Sequence, residues 1–462
     1  MKSFFDSWVE SHREAFIRDI GRLVAIRSVK GESQEGMPFG EGPAKALEEA
    51  EKICGELGFS STNYDNYVLA ADAVEAPRGL DILCHLDVVG EGSGWNTDPY
   101  KAVVKDGCIW GRGTDDDKGP AVAAMYAMRA VMECGVPMKR NVRLILGTDE
   151  ESGSADIEYY YKTKGEKPAP NTFSPDNAFP VYNVEKGLYR QTFRKKFVKT
   201  AETPRVTELE GGFRFNVIPP DAWAQVEGLP DGIIVTLIQK KAEKLGVQFN
   251  VENGLVSVHG LSSHASLPQD GTNALTALLT LLQNLPLASV PSTQAIRELC
   301  TLFPHGDYYG ESIGISAKDE VSGPLTLAFS VLKLDDHGLC GTFDSRTPVC
   351  VTPEECLMKV HGKMQPLGYA LEENLVPPHY TPADTEFVKT LLRDYELYTG
   401  RKGECIASGG ATYCHDVPGG VAFGASMPGV ITNLHSADEH VPVEDLLTAV
   451  KIFAQVIYDL CC

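Results

Sequence analysis

Leu80-Asp81-Ile82-Leu83-Cys84-His85-Leu86-Asp87-Val88-Val89 is the stretch that decides the fold. It is a short aliphatic run that closes on a histidine and an aspartate, which predicts a buried strand with polar chemistry at its carboxyl end. Downstream the texture switches. Gly119 to Cys134 is rich in Ala and Met and stops at Gly135, as a buried helix would. Asn141 to Leu146 is apolar again and predicts a second buried strand. Upstream, Ala44, Leu47, Cys54 and Leu57 mark a helix face that stops at Gly58, and Val9, Phe16, Ile20 and Leu23 share one face of an amphipathic helix that opens the chain. Helix and strand alternating in this way predict an α/β unit with a largely parallel or mixed sheet covered by helices. Ligands in such folds sit beyond the carboxyl ends of strands, and that is where His85 and Glu150-Glu151 fall.

From Lys186 the pattern changes. Short alternating runs (Gly212 to Val217, Leu255 to His259, Leu325 to Leu332, Gly338 to Ser345) are separated by Gly and Pro, with a helix from Gly271 to Leu285. These predict a separate α+β domain, and Pro377-Pro378 marks its exit. A helix from Pro382 to Tyr398, a strand near Val421 to Ala425 and a helix from Val443 to Leu460 resume the first texture. The expected division is therefore 1–185 and 379–462 as one discontinuous domain, with 186–378 inserted.

A chain of 462 residues exceeds what a single core sustains. Its 43% hydrophobic and 23% charged content is that of a soluble globular protein. The net charge of −21 excludes the basic footprint that nucleic acid or an anionic membrane surface requires. No apolar run approaches the length of a membrane span. The 12 cysteines form no Cys-x-x-Cys pair, and the first helix lacks the features of an export signal. Reduced thiols in a cytoplasm are expected, without a thiolate zinc site.

Three acidic segments carry the chemistry: His85-Leu86-Asp87, Gly111-Arg112-Gly113-Thr114-Asp115-Asp116-Asp117-Lys118-Gly119, and Thr148-Asp149-Glu150-Glu151-Ser152-Gly153. Gathering so many carboxylates around an imidazole costs several kcal/mol per unpaired charge, and a divalent ion removes that cost. A site for two ions needs a bridging carboxylate, terminal His or carboxylate ligands, and a spare carboxylate to move protons. Asp116 is the bridge that a Gly-rich turn allows, whereas Asp115 and Asp117 read as solvated. His85 is a terminal ligand, with Asp87 on the same side of an extended chain to orient its imidazole. Adjacent Glu150 and Glu151 cannot both point the same way in extended chain, which predicts different roles, one on metal and one as general base. Asp176 in Ser174-Pro175-Asp176-Asn177 and His435 in Asn433-Leu434-His435-Ser436-Ala437-Asp438-Glu439 are, on their local sequence alone, either capped turns or further ligands.

Taken together, His-x-Asp-Val-Val, Gly-Arg-Gly-x-x-Asp-x-Lys-Gly, Asp-Glu-Glu-x-Gly and the late His-x-x-Asp-Glu resemble the dinuclear-metal peptidase and amidohydrolase family. That family includes carnosinase-like dipeptidases, bacterial carboxypeptidases, aminoacylases and succinyl-diaminopimelate desuccinylase. The resemblance spans nearly the whole chain. It is strongest toward the bacterial PepV-type dipeptidases, through Pro175-Asp176 before Glu185-Lys186-Gly187 and through Pro-Pro-His-Tyr at 377–380. It implies a mixed-sheet catalytic domain of the zinc-exopeptidase type with the inserted α+β domain as a lid. It places His85 and Asp176 on one ion and Glu151 and His435 on the other, with Asp116 bridging. Glu150 becomes the general base acting on a metal-bridging hydroxide, Asp87 orients His85, and the peptide after Asp116 is cis. Two divalent ions are implied, Zn first, with Mn or Co as alternatives that suit the same ligands.

In the lid, Ser263-His264-Ala265-Ser266-x-Pro268 resembles a motif whose histidine stabilises the oxyanion, here His264. Asn216 and Arg346 match positions that contact the substrate's carboxylate. Gly409 and Gly410 match a loop whose backbone approaches the substrate, with His415 standing where relatives often have arginine. The implied activity is hydrolysis of small unblocked dipeptides by a monomer. The alternative is an N-acyl or N-succinyl amino-acid deacylase on the same centre, and a non-catalytic metal-dependent binding protein is disfavoured by the intact ligand set.

Overall fold

Alanine, valine and methionine fill Lys118–Met132, and the helix they form is buried on nearly every face. A helix that is apolar all round needs cover on all sides. Lys2–Val24 and Val443–Cys461 supply part of it, turning Phe16, Ile20, Leu446 and Phe453 into one common core. The strand Arg78–His85 also packs on this helix, with every residue from Gly79 to His85 buried. It runs parallel to Asn141–Gly147 on one side and to Thr172–Ser174 on the other. Thr172–Ser174 in turn pairs in parallel with Gly420–Ala422. On the far side, Asn141–Gly147 pairs antiparallel with Val68–Asp72, which folds back on Ser60–Tyr64. The sheet has nine strands and is mixed. Its parallel strands end in the same direction, at His85, Gly147 and Ser174, and Asp87, Glu150-Glu151 and Asp176 follow those ends.

The computed structural model describes residues 1–462 and divides into two compact units. The first, Met1–Val184 with Tyr380–Ile406 and Ala411–Cys462, contains the elements above. The second, Glu185–His379 with Ala407–Gly410, is built on an eight-stranded sheet. All of that sheet's pairings are antiparallel, as in Gly187–Lys196 between Gly338–Thr347 and Ala370–Val376. The helices Asp231–Leu245, Ala274–Leu282, Pro291–Leu302 and Pro353–Met364 contribute Ile238, Leu278, Leu299 and Val360 to its core. No helix is long and apolar enough to cross a membrane.

Two expectations change. The strand expected to continue to Val89 leaves the sheet after His85, although Leu86 and Val88 stay buried and their amides bond to Gly147 O and Ser28 O. Gly212 to Val217, with its apolar alternation, is not a strand. The ladder stops at Gly211, because Gly212 takes φ +77 and lies so near Ser330 O that a Cβ would clash with it. Phe213 and Phe215 are consequently 70% and 47% exposed, so their alternation marks a surface loop and not a half-buried strand.

Candidate metal centre

Three strand ends and two loops of the first unit bring the acidic segments together. His85 closes its strand fully buried, and its Nδ1 lies 2.9 Å from the Asp87 carbonyl oxygen. That contact puts the proton on Nδ1 and leaves Nε2 to face the site. Nε2 lies 2.8 Å from Asp116 Oδ1 and 3.8 Å from Asp176 Oδ2. The other oxygen of Asp116 lies 2.9 Å from His435 Nε2, which is also 3.0 Å from Glu151 Oε1. Asp116 thus stands between two groups with metal-ligand geometry, His85–Asp116–Asp176 and Asp116–Glu151–His435. The peptide from Asp116 to Asp117 is cis.

The turn that carries Glu150 and Glu151 is a 3₁₀ segment, Glu150–Ser152, and not extended chain. Its leading amides point at one carboxylate: Asp87 Oδ1 accepts Glu150 N–H at 3.2 Å, and Oδ2 accepts Glu151 N–H at 3.1 Å. Asp87 therefore acts in two ways. Its main-chain oxygen orients His85, while its carboxylate holds the Glu150–Glu151 turn and reaches His85 Nδ1 only at 3.4 Å. The turn is fastened from behind by Asp156, which accepts the amides of Thr148 and Asp149 and the hydroxyl of Tyr413. Gly147 is required there, since a Cβ would lie 2.1 Å from the Tyr413 hydroxyl.

The electrostatics follow from this crowding. Burial opposes ionisation of Asp116, but the two imidazoles outweigh it and hold the carboxyl well below its usual range. Burial likewise works against a charged His85, yet Asp116, Asp176 and Asp87 hold its imidazole well above the usual value. His435 is also opposed by burial and is raised to about 10 by Asp116 and Glu151. Burial, then the charge of Asp116, pushes Asp176 up to about 7. Burial and Asp176 raise Glu150 well above an ordinary glutamate. Without a cation, then, both imidazoles must hold protons to offset the carboxylates. Two dications facing neutral imidazoles would balance Asp116, Glu150, Glu151 and Asp176 outright. Oxygen and imidazole donors without a thiolate suit Zn, Mn or Co. The residues fit a metal pair.

Asp115 and Asp117 do not read as solvated in the structure. Asp117 is fully buried and accepts the His85 amide at 3.1 Å, and the Asp115 carboxylate accepts the Ser426 hydroxyl. A run of three acids on a turn gave no hint of these partners. Lys118 has a role that its local sequence does not announce. Its ammonium is buried and donates to Leu23 O at 3.0 Å and Ile26 O at 2.7 Å, closing the end of the first helix.

The second unit gathers its own candidates into one linked group. The Asn216 carbonyl accepts the Ala265 amide at 2.9 Å, and Val217 bridges to His264. His264 Nδ1 lies 2.7 Å from the Ser266 hydroxyl. Ser266 packs so closely on Gly409 that a Cβ there would sit 2.3 Å from its own. Gly409 O accepts Arg346 Nη1 at 2.7 Å, and the Gly410 amide donates to Ser408 Oγ at 3.0 Å. Arg346 Nε bonds Asp344 Oδ1 at 2.7 Å, and Arg190 shares that buried carboxylate at 2.9 Å, so two guanidinium groups surround one anion.

The profile of Peptidase family M20/M25/M40 matches residues 82–459. The chain is 33% identical over 457 residues to the putative dipeptidase YtjP of Bacillus subtilis, covering 97% of each protein. It is 31% identical over 466 residues to the Beta-Ala-Xaa dipeptidase of Lactobacillus delbrueckii subsp. lactis, covering 99% of this chain and 98% of that one. Its fold is similar to that of human carnosine dipeptidase 1, with a TM-score of 0.59 and 15% identity, over 99% of this chain and 98% of the other.

Proposed function

The chain belongs to peptidase family M20/M25/M40, and on that footing we propose that it is a metal-dependent dipeptidase acting on small unblocked dipeptides. The observation that carries the proposal is Asp116, whose two oxygens face two separate imidazoles, each backed by a further carboxylate. The proposed ligands are His85 and Asp176 for one ion and Glu151 and His435 for the other, with Asp116 shared and Zn the first choice of metal. Bound there, such ions supply Lewis acidity toward the scissile carbonyl and make a water acidic enough to attack at neutral pH.

The chain's own residues do the rest. Glu150 takes the proton of the attacking water and returns it to the amide nitrogen, so that the amine leaves neutral. Burial of its carboxyl favours the protonated form, which lets it hold that proton between the two transfers. Asp87 fixes the turn from which Glu150 acts, through the amides of Glu150 and Glu151. Asp87→Ala is therefore expected to lower kcat/KM about 10–100-fold in metal-saturated enzyme, and steady-state rates equal to wild type would remove this role. Arg346, with Arg190, leaves net positive charge beside Gly409, which suits the free carboxylate of a dipeptide. We assign to His264 stabilisation of the developing oxyanion and to Asn216 and the Gly409-Gly410 backbone contacts with substrate. Action as a single chain in a cytoplasm, where its 12 cysteines stay free, completes the proposal.

Relatives named as dipeptidases match nearly the full chain and support this reading over the deacylase alternative. The test is a panel of free, N-acylated and C-terminally amidated dipeptides, offered to chelated protein reloaded with Zn, Mn or Co. Metal-restored cleavage of the free compounds is expected, with the amidated and acylated ones cleaved poorly. Turnover confined to acylated substrates would transfer the chain to the deacylases.

A further inference from the structure

Glu439 lies on the segment that carries His435, and it is fully buried with both carboxylate oxygens engaged. Oε1 accepts three amides of the turn that ends in Asp116: Gly113 at 2.9 Å, Asp115 at 3.0 Å and Asp116 itself at 3.3 Å. Oε2 accepts Arg112 Nη1 at 2.6 Å. Main-chain oxygens of the His435 segment accept from the same turn. Arg112 Nη2 donates to Ser436 O at 3.1 Å, and the Gly111 amide donates to the Glu439 carbonyl at 3.0 Å. Beside them, the amide and side chain of Asn96 hold the carboxylate of Asp438. Gly113, at φ +89 and with no room for a Cβ beside Lys118 Cδ, lets the turn aim its amides at one oxygen. Such converging amides form a cradle for an anion, and here the anion belongs to the protein.

We infer that Glu439, with Arg112 as its counter-ion, is a positioning residue that sets where Asp116 meets His435. The inference rests on the two-ion reading of the centre. The physical reason is that Asp116 and His435 lie on two loops far apart in sequence, and a ligand pair tolerates little error in distance. One carboxylate bonded to both loops removes that freedom. A neutral amide at 439 cannot replace it, since its NH₂ would meet either Arg112 or the amide cradle, and both are donors only.

The test compares wild type with Glu439→Gln. Because that variant leaves Arg112 buried without its anion, a second variant, Glu439→Gln with Arg112→Met, removes both charges. Metal-free proteins are titrated with Mn(II), and the loaded forms are read by electron paramagnetic resonance, which separates exchange-coupled from isolated ions. Wild type is expected to take two ions with a coupled spectrum. Both variants are expected to bind at least one ion about 10-fold or more weakly and to lose the coupling while keeping the circular dichroism of the metal-free fold. Coupled pairs bound with wild-type affinity in either folded variant would overturn the inference. Failure of both variants to fold would overturn it too, by assigning the pair to the fold and not to the centre. Wild type taking a single ion would instead sink the two-ion reading. The affinity for that one ion, compared across the variants, would still decide whether Glu439 positions its ligands.

Discussion

Glu150→Gln is expected to lower kcat by about 10²–10⁴-fold while metal content and melting temperature stay at wild-type values. The substitution keeps the volume and the backbone of the turn, and the two amides that bond Asp87 are untouched because they are main-chain groups. It removes only the proton acceptor. Glu150 belongs to neither group with metal-ligand geometry, whereas its neighbour Glu151 lies 3.0 Å from His435 Nε2. The two adjacent glutamates should therefore fail differently. Glu151→Gln should cost metal as well as turnover, and Glu150→Gln turnover alone. Metal analysis beside steady-state kinetics separates them. A Glu150→Gln enzyme retaining more than about a tenth of wild-type kcat would exclude Glu150 as the base.

That difference between neighbours shows where local sequence stopped being informative. Adjacency required Glu150 and Glu151 to diverge, and the expectation assumed extended chain. The 3₁₀ turn instead sends both amides to Asp87, with the Glu151 carboxylate at His435. His85 at a strand end and Asp116 on a glycine turn were legible because strand periodicity and turn composition are local signals. So was the helix from Lys118, whose composition admits only a buried element. The mixed sheet followed from the alternation of such elements.

What stayed hidden depends on partners distant in the chain. Nothing near Glu439 announces that three amides more than three hundred residues upstream will converge on it. The Asp-Glu pair after His435 looks like any solvated acidic turn. The same holds for Asp156, whose role exists only once Tyr413 arrives from the far end of the chain. Gly212 misled for a related reason: alternation in Phe213 to Val217 is a strand signal, and only the close approach of Ser330 O reveals that the ladder has already ended. Burial of a charged group is a tertiary fact, and sequence shows only the charge.

Asp116→Asn is the substitution with the widest expected reach. Each imidazole loses its shared anion, so both groups with metal-ligand geometry lose a member at once, whereas His85→Ala or His435→Ala removes a member from one. Loss of both ions withdraws several kcal/mol of transition-state stabilisation, or about 10³-fold or more in kcat/KM at 1.36 kcal/mol per tenfold. Metal should then stop stabilising the protein. Wild type gains about 2.7 kcal/mol at a hundredfold excess over its dissociation constant, and the variant should show no rise in melting temperature at the same concentration. The metal-free proteins offer an independent check. His435 has its value raised from 6.5 to about 10, against the pull of burial, by Asp116 and Glu151. A base raised in the folded state contributes stability that is fully present below pH 6.5 and is lost as pH rises through about 10. Denaturant midpoints of metal-free wild type should accordingly fall across that window, and Asp116→Asn should flatten the slope because the larger of the two partners is gone. A variant that keeps two ions, or that keeps the full slope, would show that Asp116 is not the group the two halves of the centre share.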